Sequence, residues 1–197
     1  MRKRVVITGV GAITPIGNNT ADYFEGLRTG RCGIGPITRF DSADFKCKVC
    51  AEVKNFDPSA CFDTLSRNKT DLYVQYAVCA AQEAMDASGI EGNVDDNELG
   101  VYVGSGVGGI NTICEMQDTL SAKGPRMVSP QFVPKMIINM AAGQIAIRHH
   151  AHGPAMSVAT ACATGSTAIG EAYRAIRDGY LTAAICGGSE AAVNRCV

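Results

Sequence analysis

The stretch that follows Asp71 restricts the fold of this chain more than any other. Leu72, Tyr73, Tyr76, Ala77, Ala80, Ala81, Ala84 and Met85 recur at helical spacing, Asp71 opens the pattern, and Ser88-Gly89 ends it. Alanines are too numerous here for a helix that covers a core from one side only. They imply close packing on both sides rather than a surface helix.

Around this helix the chain alternates between short apolar runs and helical patterns. Residues 3–10 form an apolar run ending in Gly9-x-Gly11, which reads as a buried first strand and a tight turn. A glycine-rich turn after a first strand is also how a dinucleotide site begins. Here, however, the glycines stand at 9, 11 and 17 with Pro15 among them, and no acidic residue closes a second strand about 20 residues on. Asn19-Thr20 caps a short helix from Ala21 to Thr29, with Tyr23, Phe24 and Leu27 as its apolar face and Gly30 as its stop. Residues 30–60 are expected to be loop with one short strand near Lys48 to Val53. Leu99 to Gly104 is a short buried strand, and Ser105 to Gly109 is a glycine-rich connection suited to close backbone approach or, less well, to cradling phosphate. Residues 112–127 read as helix and then polar turn, one or two helices follow Pro134 up to Ile147, and Thr182 to Cys186 is the last strand. Strands alternating with helices predict an α/β fold whose sheet is parallel or mixed and covered on both faces.

The sharpest chemical candidate is Cys162. Met156 to Ala159 favour a strand, and Ala168, Ile169, Ala172, Ala175 and Ile176 repeat as a helix that Gly179 stops, so Cys162 falls near a helix N-terminus. Unpaired N–H groups there favour an anion, and a thiolate so placed is a nucleophile. Ala161, Ala163, Thr164, Gly165 and Ser166 leave room for a carbonyl to approach the sulfur. A buried, inert cysteine is the alternative on the residues alone.

Several function classes are disfavoured. A net charge of −1 and the lack of a long Lys/Arg run give no electrostatic case for nucleic acid. No apolar run approaches the roughly 20 residues that span a bilayer. Arg2-Lys3-Arg4 before Val5-Val6-Ile7 resembles the start of a signal peptide, but Gly9, Gly11 and Pro15 interrupt the apolar region. The nine cysteines are odd in number and several lie in apolar runs, so reduced thiols and a cytoplasmic location are expected. Cys47-Lys48-Val49-Cys50 has metal or redox spacing but no second pair to complete a zinc set, and His149-His150-x-His152 precedes Gly153-Pro154 as a solvated turn. A cysteine hydrolase needs a base, and His152 enters the same strand only ten residues before Cys162.

Gly153-Pro154 through Thr160-Ala161-Cys162-Ala163-Thr164-Gly165 closely resembles the nucleophile segment of the β-ketoacyl-acyl-carrier-protein synthases, the elongating condensing enzymes of fatty acid synthesis, with the synthase II subtype nearest. Arg4 to Gly11 with Pro15-Ile16-Gly17, Gly104 to Gly109, Gly124-Pro125-Arg126, Ser129-Pro130, Phe132-Val133-Pro134, Asn139-Met140 and Gly187-Gly188-Ser189-Glu190 follow the order and spacing of that family.

The resemblance implies a thiolase-like layered fold (αβαβα) of two similar halves, residues 1–197 being the N-terminal half with a mixed, mostly parallel sheet. It implies that Cys162 takes an acyl group from acyl carrier protein, that malonyl carrier protein then loses carbon dioxide, and that the resulting carbanion attacks the thioester. By the same resemblance Val107 lines the acyl pocket, and Phe132 and Ile137 reach the partner subunit's acyl tunnel in a homodimer. Arg67, Lys69 and Arg126 are the candidates for docking the acidic carrier, although Leu65 and Asn68 stand where the family often has a denser basic cluster. No cofactor and no metal are implied. The family's two catalytic histidines, its lysine and its gating phenylalanine belong to the second half, so a partial sequence, inactive in condensation alone, is expected. Two other readings stay open: a non-catalytic dimerising fragment, and a polyketide ketosynthase of the same fold.

Overall fold

The computed structural model describes residues 3–197. Met1 and Arg2, the latter part of the basic start noted above, lie outside the described residues. The helix after Asp71 is α3 (Leu72–Ser88), preceded in the chain by α1 (Thr20–Arg28) and α2 (Thr64–Asn68). The Asp71 carboxylate accepts from the Tyr73 N–H at 3.2 Å and from the Thr112 hydroxyl at 2.6 Å, so one buried side chain caps α3 and ties it to the next helix. Gly89, at φ 64°, ends α3 in the left-handed conformation. Eight of its residues are buried, Tyr73 and Val74 almost completely.

Both flanks of α3 are occupied, as its alanines demanded. On one side lies α6 (Met140–Arg148). On the other the N-terminal backbone presses so close that a Cβ on Gly9 would stand 2.0 Å from the Ala84 carbonyl oxygen, and one on Gly11 1.9 Å from that of Ala80.

The sheet that positions everything else is parallel, in the order β4-β3-β5, with β3 (Leu99–Gly104) between β4 (Ala155–Met156) and β5 (Ala183–Gly188). Every residue of β3 is buried, as expected for a strand covered on both faces. Its side chains alternate accordingly. Leu99, Val101 and Val103 join the core of α3 and α6, whereas Tyr102 packs with Ala168 and Ala172 of α7 (Thr164–Arg177) on the opposite face. Each fully buried aliphatic side chain contributes about 1.5–3 kcal/mol relative to exposure. Between β3 and β4 run α4 (Ile110–Lys123), a 3-10 turn at Pro125–Met127, α5 (Phe132–Met136) and α6. A separate antiparallel pair, β1 (Ile34–Pro36) with β2 (Val49–Ala51), carries Cys50, while Cys47 is exposed just before it.

Several expectations are corrected. Among the described residues, 3–10 pair with no strand: the Lys3 N–H donates to the Arg177 carbonyl at 3.2 Å, the Val10 carbonyl accepts from the Thr20 hydroxyl at 3.2 Å, and Val6, Ile7 and Val10 are each more than half exposed. Gly9 and Gly11 seat this segment against α3, and a cavity of about 760 Å³ separates it from β5. The apolar face of α1 also points outward, Phe24 being 68% and Leu27 54% exposed, because the helix turns Gly26 inward against the Ile16 carbonyl. The strand expected at 156–159 is only Ala155–Met156, the last strand runs on to Gly188, and α5 contains Pro134 at its third position, where a missing N–H breaks no helical bond.

His149 is buried, not solvated, and among the described residues its Nε2 finds no hydrogen-bond partner. Burial, reinforced by the Arg148 charge, holds its pKa below the ordinary histidine value of 6.5. The folded protein therefore binds fewer protons at this site than the unfolded chain. Stability from this residue is complete above about pH 6.5 and falls as the pH drops below it. Urea unfolding of the parent and of His149→Gln, measured on both sides of that pH, is expected to show a steeper acid loss in the parent.

Candidate active site

Because β3, β4 and β5 are parallel, their carboxyl ends share one edge, the usual place for a ligand in an open α/β sheet. The first turn of α7 reaches that edge through contacts that admit no side chain. A Cβ on Gly104, the last residue of β3, would lie 2.2 Å from the Val158 carbonyl oxygen and 2.5 Å from Thr164 Cγ2. A Cβ on Gly188, the last residue of β5, would lie 3.0 Å from Gly165 Cα.

Between β4 and α7 the chain makes a 3-10 turn at Ala161–Ala163 that presents Cys162 to solvent. Ala161 takes φ 50°, a left-handed conformation that costs an alanine roughly 1–2 kcal/mol. Threonines over-determine the turn. The Thr160 N–H donates to Thr164 Oγ1 at 2.9 Å, the Thr160 and Thr167 hydroxyls share a bond at 2.9 Å, and Thr167 Oγ1 donates to the Ala163 carbonyl at 3.0 Å. These bonds hold the strained backbone and so fix where the sulfur projects.

The Ser105–Gly109 loop lies against this turn, a Cβ on Gly106 standing 3.7 Å from Ala161 Cα. Glu190, two residues beyond β5, organises the loop. Its carboxylate accepts from the Gly106 N–H at 2.7 Å, the Val107 N–H at 3.3 Å and the Ser105 hydroxyl at 3.1 Å, while Ser105 Oγ accepts from the Gly108 N–H at 2.9 Å. Val107 remains 46% exposed at the tip. Behind it stands α5, since the Gly109 N–H donates to the Met136 carbonyl at 3.0 Å. Phe132 opens α5, and Ile137 follows it with its carbonyl accepting from the Tyr73 hydroxyl. Cys162, Val107 and the Phe132–Ile137 segment thus sit on three successive layers of backbone.

Arg67 and Lys69 are exposed at the end of α2, and Lys135 of α5 joins them by donating to the Asn68 carbonyl at 3.4 Å. Arg126 is exposed on a separate 3-10 turn that packs against α4. Sequence reasoning missed Lys135 and Glu190. Glu190 was visible only as part of Gly187-Gly188-Ser189-Glu190, and nothing local tells that its partners lie 83 to 85 positions upstream. Among the described residues no three His, Cys, Asp or Glu side chains are grouped to hold a metal ion. Among the described residues no helix is long and apolar enough to cross a membrane.

Glu190→Ala leaves the Gly106 and Val107 amides without their charged acceptor. Their hydrogen exchange is expected to rise about 10-fold or more while β3 stays protected, as exchange mass spectrometry would show. Unchanged exchange in the loop would remove Glu190 from this role.

Residues 2–196 match the family described as beta-ketoacyl synthase, N-terminal domain. A 3-oxoacyl-[acyl-carrier-protein] synthase 2 from Synechocystis is 48% identical over 193 residues, 98% of this chain and 46% of that protein. The enzyme of the same description from Coxiella burnetii is 44% identical over 97% of this chain and again 46% of its own length. The chain therefore spans about half the length of the curated relatives it matches. Among solved structures, the ishigamide ketosynthase/chain length factor superposes with a TM-score of 0.89 at 31% identity, covering all of this chain and 49% of that one. A type II polyketide ketosynthase in complex with its acyl-carrier protein superposes with a TM-score of 0.83 at 27% identity, over 100% of this chain and 53% of that one.

Proposed function

Since the chain belongs to the β-ketoacyl synthase family as its N-terminal domain, we propose that it carries the acyl-accepting half of a 3-oxoacyl-[acyl-carrier-protein] synthase of fatty acid elongation, with Cys162 as the nucleophile. The observation that carries this reading is the exposed sulfur on a strained, threonine-braced turn at the carboxyl ends of three parallel strands.

The Cys162 thiolate attacks the thioester carbonyl of an acyl carrier protein, and the electron pair displaced onto oxygen meets the Cys162 backbone N–H as one oxyanion donor. Collapse of that intermediate releases the carrier thiol and leaves the acyl group on Cys162. In the whole protein, malonyl carrier protein then loses carbon dioxide, and its carbanion attacks the acyl-Cys162 thioester, expelling the thiolate and lengthening the chain by two carbons. Covalent catalysis separates transfer from condensation.

Val107 lines the acyl pocket in this reading, and Phe132 and Ile137 extend it toward the partner of a homodimer. The exposure of Met156 at the β4 edge supports such pairing. Arg67, Lys69 and Arg126, with Lys135 beside the first two, receive the acidic carrier. Nine free cysteines support a cytoplasmic setting.

A second reading, a polyketide ketosynthase, is favoured by the ketosynthase/chain length factor likeness. Carrier proteins charged with a saturated acyl chain or with a polyketide-type chain separate the two. Incubation with acyl carrier protein followed by digestion is expected to place a hydroxylamine-labile acyl group on the Cys162 peptide. Acylation elsewhere, or none while carrier still binds, would leave the non-catalytic interaction reading instead.

A further inference from the structure

A pair of sulfurs stands outside the turn that carries Cys162. Cys114 of α4 and Cys196 of the segment after β5 stand 3.4 Å apart although 82 positions separate them in sequence. Cys196 is exposed and Cys114 half-buried, so small solutes reach the pair. The segment is held in register on α4 by Asn111 and Asn194. Asn111 Nδ2 donates to the Ala191 carbonyl at 2.6 Å, Asn194 Nδ2 donates to Asn111 Oδ1 at 2.8 Å, and Asn194 Oδ1 accepts from the Cys196 N–H at 3.0 Å. These bonds place the sulfurs together before any covalent bond exists. Bonding would then require them to close by little more than 1 Å, since an S–S bond is about 2.05 Å long.

We propose that Cys114 and Cys196 form a reversible thiol/disulfide site, closed by a peroxide-class oxidant and reopened by thiols. The Cys196 thiolate attacks a peroxide oxygen; the O–O bond breaks, and the departing hydroxide takes a proton to become water. The Cys114 sulfur attacks the resulting sulfenic acid, the S–O bond breaks, and a second water leaves with the Cys114 proton. Two thiols are oxidised and one peroxide is reduced to two waters. Opening is thiol–disulfide exchange, in which two external thiols become a disulfide. The bond tethers to α4 the segment that begins with Glu190, the residue that organises the loop beside Cys162. Cys61 and Cys79 make the internal comparison: both are half-buried, and burial, with the Cys61 thiol nearby, pushes the Cys79 thiol well up, which slows attack on an oxidant.

The test treats the full protein, first reduced, with hydrogen peroxide, blocks remaining thiols by alkylation and maps peptides without reduction. The expected product joins the Cys114 and Cys196 peptides with the loss of two hydrogens, disappears with dithiothreitol, and is absent from Cys114→Ser and from Cys196→Ser. Cys162→Ser should still form it. Asn194→Ala should form it several-fold more slowly, a readout that works even if a serine variant folds poorly. Recovery of both peptides fully alkylated after peroxide, or a bond between Cys61 and Cys79 in their place, would overturn the proposal.

Discussion

Replacing Cys162 by serine is expected to lower labelling by an acyl-like electrophile such as cerulenin on the order of 10³-fold or more, without loss of fold. A serine hydroxyl does not ionise near neutral pH, whereas a thiolate attacks directly. Exposure alone cannot produce selectivity here. Cys32, Cys47, Cys186 and Cys196 are exposed as well, and none of them sits on a strained turn at the head of a helix that begins between strand ends. The parent is therefore expected to carry its first label on the Cys162 peptide, followed by mass spectrometry over time. Labelling of Cys162→Ser at the parent rate would sink the assignment, as would first labelling at one of the other four.

The second large effect is on stability. Gly104→Ala puts a Cβ 2.2 Å from the Val158 carbonyl oxygen and 2.5 Å from Thr164 Cγ2, and the first of these is backbone that cannot swing aside. Val158 leads into the Cys162 turn, so relieving the clash pries that turn away from β3. Overpacking of this kind costs about 3 kcal/mol. For a chain of this length the melting temperature should fall by roughly 6–12 °C. Gly143→Ala supplies the contrast. It lies within α6 with nothing inside 4 Å of a new Cβ, and there alanine is expected to be neutral or to stabilise by up to about 1 kcal/mol. Equal melting temperatures for the two variants would refute the account of a packed, side-chain-free junction. Gly104→Ala should also react more slowly at Cys162, because the turn it displaces is the one that aims the sulfur.

Much of this architecture was legible in the residues. Asp71 and Gly89 bound α3, Asn19 caps α1 by accepting from the Asp22 N–H at 2.8 Å, and Gly30 follows α1 at φ 67°, all where side-chain chemistry said a helix starts or stops. Leu99 to Gly104 forms the buried strand that its apolar run announced. Placement of Cys162 before a helix was likewise readable, because a strand run, a cluster of small residues and a helical repeat are neighbours in sequence.

Other features were not readable, and they share a cause. The same apolar character that suggested a strand at 3–10 does not say whether a partner strand lies within hydrogen-bonding reach. Here Gly9 and Gly11 settle against α3 instead. The face of α1 was identified but its direction was not, since Gly26 had to find the Ile16 carbonyl before Phe24 and Leu27 were left outside. His149 looked like part of a polar turn and is buried; Glu190 looked like the end of a motif and is the clasp of a loop more than 80 positions upstream. Sequence by itself determined the local elements and the place of Cys162 just before a helix, because caps, periodicity and turn residues act within one or two helical turns. Only the tertiary structure decided which faces are buried, which carboxylate holds the Val107 loop and which cysteines meet, because those depend on partners that the chain brings together from far apart.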